Sequence, residues 1–175
     1  MRALEVLRSV GVETHLVVTR AAELTRAHET ELDRDDLDRL ADRVYGLDEV
    51  DAPVSSGSFV TLGMVIVPTS MRCLAEIASG VTSTLLTRAA DVTLKERRRL
   101  VLVTRETPLN LIHLWSMTTV IEAAATVFPP VPAFYVRPEG LEDVVDYTVG
   151  RVLDQLGIHT ELFPRWGDTW RPRSR

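Results

Sequence analysis

Thr19, Ser70, the basic run from Lys95 to Arg99, the neighbours Arg105 and Glu106, and Tyr135 are the residues of this chain whose types and positions could do chemistry. Ser70 follows an apolar run and a Pro68, Thr69 stop. A helix starting there would leave backbone N–H groups free, so its hydroxyl either caps that helix or joins those donors in holding an anion. Lys95, Arg97, Arg98 and Arg99, interrupted by Glu96, form either a solvated helix end or the source of one or two cations for a phosphate pocket. Arginine can fork onto phosphate, and glutamate can exchange a proton or hold the arginine in an ion pair; Arg105 and Glu106 are open to both readings. Tyr135, with Arg137 two positions later, either offers an O–H to a polar ligand or packs its ring over the edge of the domain.

Other reactive types carry less. His15, His28 and His113 have no histidine partner at ligand spacing, so each reads as structural and no metal site is expected. Cys73 lies one turn into the helix after Ser70, but no histidine accompanies it, and a small buried apolar role is expected. Neither GxGxxG nor GxxxxGK[ST] occurs, which removes direct support for a dinucleotide or nucleotide loop and leaves an NAD-type oxidoreductase with little behind it.

The elements that must position these groups alternate between strand and helix. Residues 2–10 read as a short helix ended by Gly11, and 15–19 as a buried strand. Helical patterns follow at 21–28 and at 33–43, the second with an apolar stripe of Leu37, Leu40 and Val44. Residues 51–61 suit an ordered loop rich in small hydrogen-bonding groups. Apolar strands are expected at 63–67 and 99–104, with a shorter one at 125–128. Helices are expected at 70–79, 81–95, after Pro108 and at 141–156. Open parallel sheets bind ligands beyond the carboxyl ends of their strands, which would gather Thr19, Ser70, Arg105 and Glu106. The prolines at 129, 130 and 132 leave the sheet as a rigid connection. We expect one domain over 1–162, then a docking arm or partly disordered tail over 163–175 that carries Trp166 and Trp170.

Composition fits this reading. The 175 residues are 45% hydrophobic and 26% charged, as in an ordinary globular domain, and a chain of this size hides about 70% of its extended surface. The net charge of −5 disfavours a general nucleic-acid surface. No apolar run approaches the roughly 20 residues of a spanning helix, and neither a signal peptide nor a membrane anchor is read at the N-terminus. A single cysteine excludes an internal disulfide and fits a reducing compartment, so a cytoplasmic location is expected.

Four motifs carry a resemblance: GMVIVPTS at 63–70, LTRAADVTLKERR at 86–98, RETPL at 105–109 and PPVPAFY at 129–135. In this order they closely resemble the flavin prenyltransferase (UbiX/Pad1-like) family, over nearly all of residues 3–166. The resemblance implies an α/β fold, a flavodoxin-like or Rossmann-like three-layer parallel sheet, assembled into a homododecamer. It implies transfer of a dimethylallyl group from dimethylallyl monophosphate to N5 and C6 of reduced FMN, with no metal, yielding prenylated FMN for a separate UbiD-type decarboxylase. Carried across by motif, Thr19, Ser70, Arg88 and Arg105 look like flavin-contacting positions. Lys95, Arg105, Tyr135 and Arg151 look like the cradle of the prenyl phosphate. Glu106 takes the proton-handling role, with Lys95 and Tyr135 as its catalytic companions, and Trp166 resembles a tail aromatic that closes the pocket.

The chain departs from the family at its start. Members begin with a β-strand and a glycine- and serine-rich phosphate loop that contributes a catalytic serine, and this sequence has neither. Losing an interior strand would leave both neighbours with unpaired backbone groups. Either translation begins upstream of Met1, which we favour because every downstream motif survives, or the chain is shortened and serves as a noncatalytic flavin-binding or assembly subunit. Thr69, where many relatives carry cysteine, and Trp115, where many carry arginine, are smaller departures.

Overall fold

The computed structural model describes residues 1–166. Its core is built on β4 (Arg99–Thr104), whose alternate side chains face opposite layers. Leu100 and Leu102 point to one face and pack among Leu74 and Ile77 of α4 (Met71–Ala78), Leu86 and Ala90 of α5 (Leu85–Lys95), and Met117 and Val120 of α6 (Leu111–Glu122). Val101 and Val103 point to the other and meet Val152 of α7 (Leu141–Gln155). A period of two in a strand covered on both faces requires this arrangement. Each such fully buried aliphatic stabilises the fold by about 1.5–3 kcal/mol. The helix α1 (Arg2–Ser9) lies on α7, where Arg2 Nε and Nη2 donate to the Asp146 carboxylate at 2.6 and 3.0 Å.

All strand pairs are parallel. β3 (Gly63–Thr69) pairs with β4 in the register Gly63 to Arg99 through Ile66 to Leu102, and β4 pairs with β5 (Thr126–Val127). β1 (His15–Val17) pairs with β2 (Arg43–Tyr45) in a second sheet. The described strands form these two sheets, β1-β2 and β3-β4-β5, with no ladder between them. Val67, near the carboxyl end of β3, is 57% exposed. The result is nevertheless the expected three-layer α/β architecture with parallel strands.

Several boundaries differ from the sequence reading. The helix expected at 33–43 is only α3 (Arg34–Asp38), started by a capping box between Asp33 and Asp36. Val44, read as part of a helical stripe, lies in β2. Asp42 explains the change, because its carboxylate accepts from both the backbone N–H and the hydroxyl of Thr14 at 2.8 Å, and Arg43 N donates to Thr14 O at 3.0 Å. These bonds hold the Asp42 carboxyl below its ordinary range and tie the segment to β1 as a strand. β3 runs through Pro68 instead of stopping there. Proline has no N–H to donate, and the β3–β4 register is irregular between Ile66 and Thr69. α5 begins at Leu85, where Thr84 and Thr87 form its capping box, not at Val81. The remaining helix, α2 (Arg20–Glu29), and short 3₁₀ turns at Pro53–Ser55 and Phe134–Val136 complete the described chain.

Candidate functional site

The carboxyl ends of β1 and β3 each deliver a hydroxyl to a helix start. Thr19 is the N-cap of α2 and its Oγ1 accepts from Ala22 N at 3.1 Å; Ser70 is the N-cap of α4 and its Oγ accepts from Cys73 N at 3.2 Å. The two readings of Ser70 are therefore compatible. A hydroxyl that accepts from its own helix still has its proton to donate, beside N–H groups at a dipole end that favours negative charge. Thr69, by contrast, is buried and donates to Ile66 O at 2.8 Å, a bond internal to β3.

At the end of β4, Arg105 and Glu106 are both exposed. Arg105 does not pair with its neighbour. Its Nη1 and Nη2 face the Glu29 carboxylate at 3.4 and 3.3 Å, so the last residue of α2 orients it. Glu29 was not singled out in the sequence. The signal available was a carboxylate at a helix carboxyl end, where the dipole disfavours negative charge and an outside cation is needed. Glu106 makes no hydrogen bond among the described residues, which leaves its carboxyl available to a ligand.

A second group lies on α5. Arg88 donates from Nε to Ser55 O at 3.2 Å and from Nη1 to Asp91 at 2.8 Å, which fixes the guanidinium against the 53–55 turn. Lys95, at the end of the same helix, pairs with Glu96, whose carboxyl is held low by that ammonium. The pair abuts the backbone of Gly57, where a Cβ would collide with Glu96. Arg98 donates to the carbonyls of Phe59 and Gly57 at 2.7 and 2.6 Å, so this member of the basic run fastens a loop.

The third group joins the turn after the prolines to α7. Tyr135 Oη is 2.9 Å from Tyr147 Oη, and the Tyr135 ring meets Trp166 edge-on at 5.1 Å. Tyr147 in turn meets Phe163 at 4.9 Å. Gly150 makes room for that ring, because a Cβ there would lie 2.5 Å from Phe163 Cε1. Phe163 thus docks on α7 and Trp166 on the Tyr135 turn; Trp170 and the rest of the tail lie outside the described residues. Arg151 approaches Asp154 at 3.8 Å, and Asp154 also accepts from Arg165 at 2.8 and 3.0 Å and contacts His159 at 3.0 Å. The Arg165 bonds, and then that of His159, hold the Asp154 carboxyl low against the opposing effect of its burial.

Among the described residues no hydrogen bond or ion pair joins Lys95, Arg105, Tyr135 and Arg151 to one another. One chain presents them as three groups. The chain also carries uncovered apolar surface: Leu111, Ile112, Trp115 and Ile121 of α6, with Val131 and Phe134, are all exposed, Trp115 by 61%. His113 is committed to the start of α6, its N–H donating to Asn110 at 2.9 Å. Cys73 is buried, and desolvation pushes its thiol up to about 11, as an inert packing role requires. No three His, Cys, Asp or Glu side chains come together as a metal-binding group among the described residues.

The family model described as Flavoprotein matches residues 1–153. Flavin prenyltransferase UbiX of Escherichia coli strain K12 is 52% identical over 169 residues, covering 95% of this chain and 89% of that protein. Among solved structures, AnUbiX (PadA1) in complex with FMN and dimethylallyl pyrophosphate superposes with a TM-score of 0.94 at 50% identity, over 97% of this chain and 90% of the other. A dodecameric FMN-dependent Ubix-like decarboxylase from Escherichia coli O157:H7 superposes with a TM-score of 0.91 at 44% identity, over 94% and 90%.

Proposed function

Because the chain belongs to the flavin prenyltransferase family, the UbiX and Pad1 group of flavoproteins, we propose that it transfers a dimethylallyl group from dimethylallyl monophosphate to reduced FMN, making prenylated FMN. The observation that carries this reading is the likeness, at 0.94 TM-score and 50% identity, to a protein solved with FMN and a dimethylallyl phosphate ester. The donor set supports it. Two hydroxyls at helix starts and a guanidinium fixed at Ser55 are hydrogen-bond donors suited to the carbonyl-rich edge of a flavin.

When bound, reduced FMN supplies the nucleophilic N5 and C6 that receive the prenyl carbons. Thr19, Ser70 and Arg88 would hold and orient the ring, and Arg105 would serve both the flavin and the prenyl phosphate. Breaking the allylic C–O bond leaves the electron pair on phosphate, so Lys95, Arg105 and Arg151 stabilise charge that grows as the bond breaks, and Tyr135 donates its O–H to a phosphate oxygen. Glu29 keeps Arg105 aimed, and Glu106 moves the proton between phosphate and flavin. Trp166 covers the allylic group and excludes water.

The three groups of residues require convergence, and we assign it to contacts between copies, with the exposed apolar surface of α6 buried in a homododecamer like that of the solved relative. The product serves a separate UbiD-type decarboxylase, and the reaction takes place in the cytoplasm. No helix of the described chain is long and apolar enough to cross a membrane.

The test is anaerobic incubation of the assembled protein with reduced FMN and either dimethylallyl monophosphate or the pyrophosphate, with mass detection of the adduct. Prenylated FMN formed preferentially from the monophosphate is expected. A folded, flavin-loaded protein that yields no adduct from either donor overturns the reading. The second reading, a noncatalytic flavin-binding or assembly subunit, predicts stable FMN binding with no adduct.

A further inference from the structure

Tyr135 has little of its own to fix it. It sits in a single 3₁₀ turn that has no side-chain cap and is followed by Arg137 in the left-handed region at φ +53°, and it is 53% exposed. Its direction must come from what it touches, and its hydroxyl touches Tyr147 at 2.9 Å. Tyr147 is better held. It belongs to the fifteen-residue α7, is half-buried, and has Phe163 against its ring, with Tyr135 crossing it edge-on at 89°. Arg151 lies one helical turn further along α7 and acts electrostatically on the Tyr147 phenol.

A phenol has one proton to donate and lone pairs to accept with. Two facing phenols spend one proton between them and leave the other free. An anion takes the stronger, charge-assisted bond, so beside a phosphate the arrangement of lowest energy has Tyr147 donating to Tyr135 and Tyr135 donating outward. Acceptance of one hydrogen bond also polarises the O–H that is donated. Burial and the bond to Tyr135 push the Tyr147 phenol above its ordinary range, which keeps it protonated as a donor.

We propose that Tyr147 is a positioning residue, whose hydroxyl donates to Tyr135 and so aims the remaining Tyr135 proton at the phosphate of the prenyl donor. The inference rests on the prenyl-transfer reading for the identity of the ligand, and on the hydroxyl pair alone for the role.

Tyr147→Phe keeps the ring contacts with Tyr135 and Phe163 and removes only the hydroxyl. It is compared with Tyr135→Phe and the double variant, all as the assembled protein. Dimethylallyl monophosphate is titrated calorimetrically into protein loaded with oxidised FMN, where no transfer takes place, and turnover is measured separately with reduced FMN. Loss of one such bond is expected to weaken binding and lower kcat/KM by about fivefold, with an unchanged melting temperature. In the Tyr135→Phe background the same substitution is expected to change neither, because its only target is gone. Wild-type affinity and turnover in Tyr147→Phe overturn the proposal, as does a full additive loss in the double variant, which would mark a role in packing. If the wild-type protein binds the phosphate ester with this coupling but forms no adduct, the prenyl-transfer reading fails while the positioning role stands. If it binds none, both fail.

Discussion

At the scale of single residues, the candidate site depends on carboxylates that aim cations and on one that stays free. Glu106 is exposed, without a hydrogen-bond partner among the described residues, and adjacent to Arg105, which follows β4. Glu106→Gln keeps shape and polarity but cannot exchange the proton. It is expected to retain FMN while slowing single-turnover adduct formation by about 10² or more; equal rates would remove it from proton handling. Glu29 acts at one remove. Its pair with Arg105 is exposed and long, at 3.3 and 3.4 Å, and such surface pairs contribute about 0–1 kcal/mol to stability. Glu29→Gln should therefore leave the melting temperature unchanged yet raise KM for the prenyl donor several-fold, whereas a fall in stability with no change in KM would make the pair merely structural.

At the scale of elements, Asp154 links α7 to the segment after it. Its side chain is 9% exposed and accepts two bonds from Arg165, so Asp154→Asn is expected to cost about 1–3 kcal/mol. The pH dependence has a definite sign. The folded carboxyl titrates below its ordinary value, so its stabilisation is complete above roughly pH 4 and is lost as pH falls through the folded value. Denaturant melts of wild type and variant should differ by a constant amount near neutrality and converge in acid; a gap that widened in acid would contradict this. Elements differ in how far the sequence disclosed them. β4 was legible because RLVLVT is apolar on both faces, and α4 because Ser70 stands where a helix cap is expected. β2 was not, since three residues become a strand only through Asp42 and Thr14, which are 28 positions apart. Arg88 and Arg151 follow the helical period like any exposed arginine, and only the family motifs distinguished them. Tyr147 and Glu29 went unnoticed because their partners, Tyr135 and Arg105, are brought to them by the fold.

For the molecule as a whole, α6 is the element whose surroundings are incomplete. Its apolar residues run around the helix, and those facing away from the core are left exposed by the described residues. A charge placed there is tolerated by one copy and costly in a contact between copies. Trp115→Glu is expected to leave the secondary structure intact while shifting light-scattering mass from the large assembly toward smaller species, with loss of adduct formation; an unchanged assembly would place the contact elsewhere. Cys73, the one cysteine of the sequence, belongs to α4 and is buried in the apolar cluster it shares with Met117 and Val120 of α6. With its thiol at about 11 and its side chain enclosed, maleimide at neutral pH should react only when the cluster opens, so the modification rate becomes a clock for breathing of the interior. A rate equal to that of a free thiol peptide would mean that this cluster is already open in the native state.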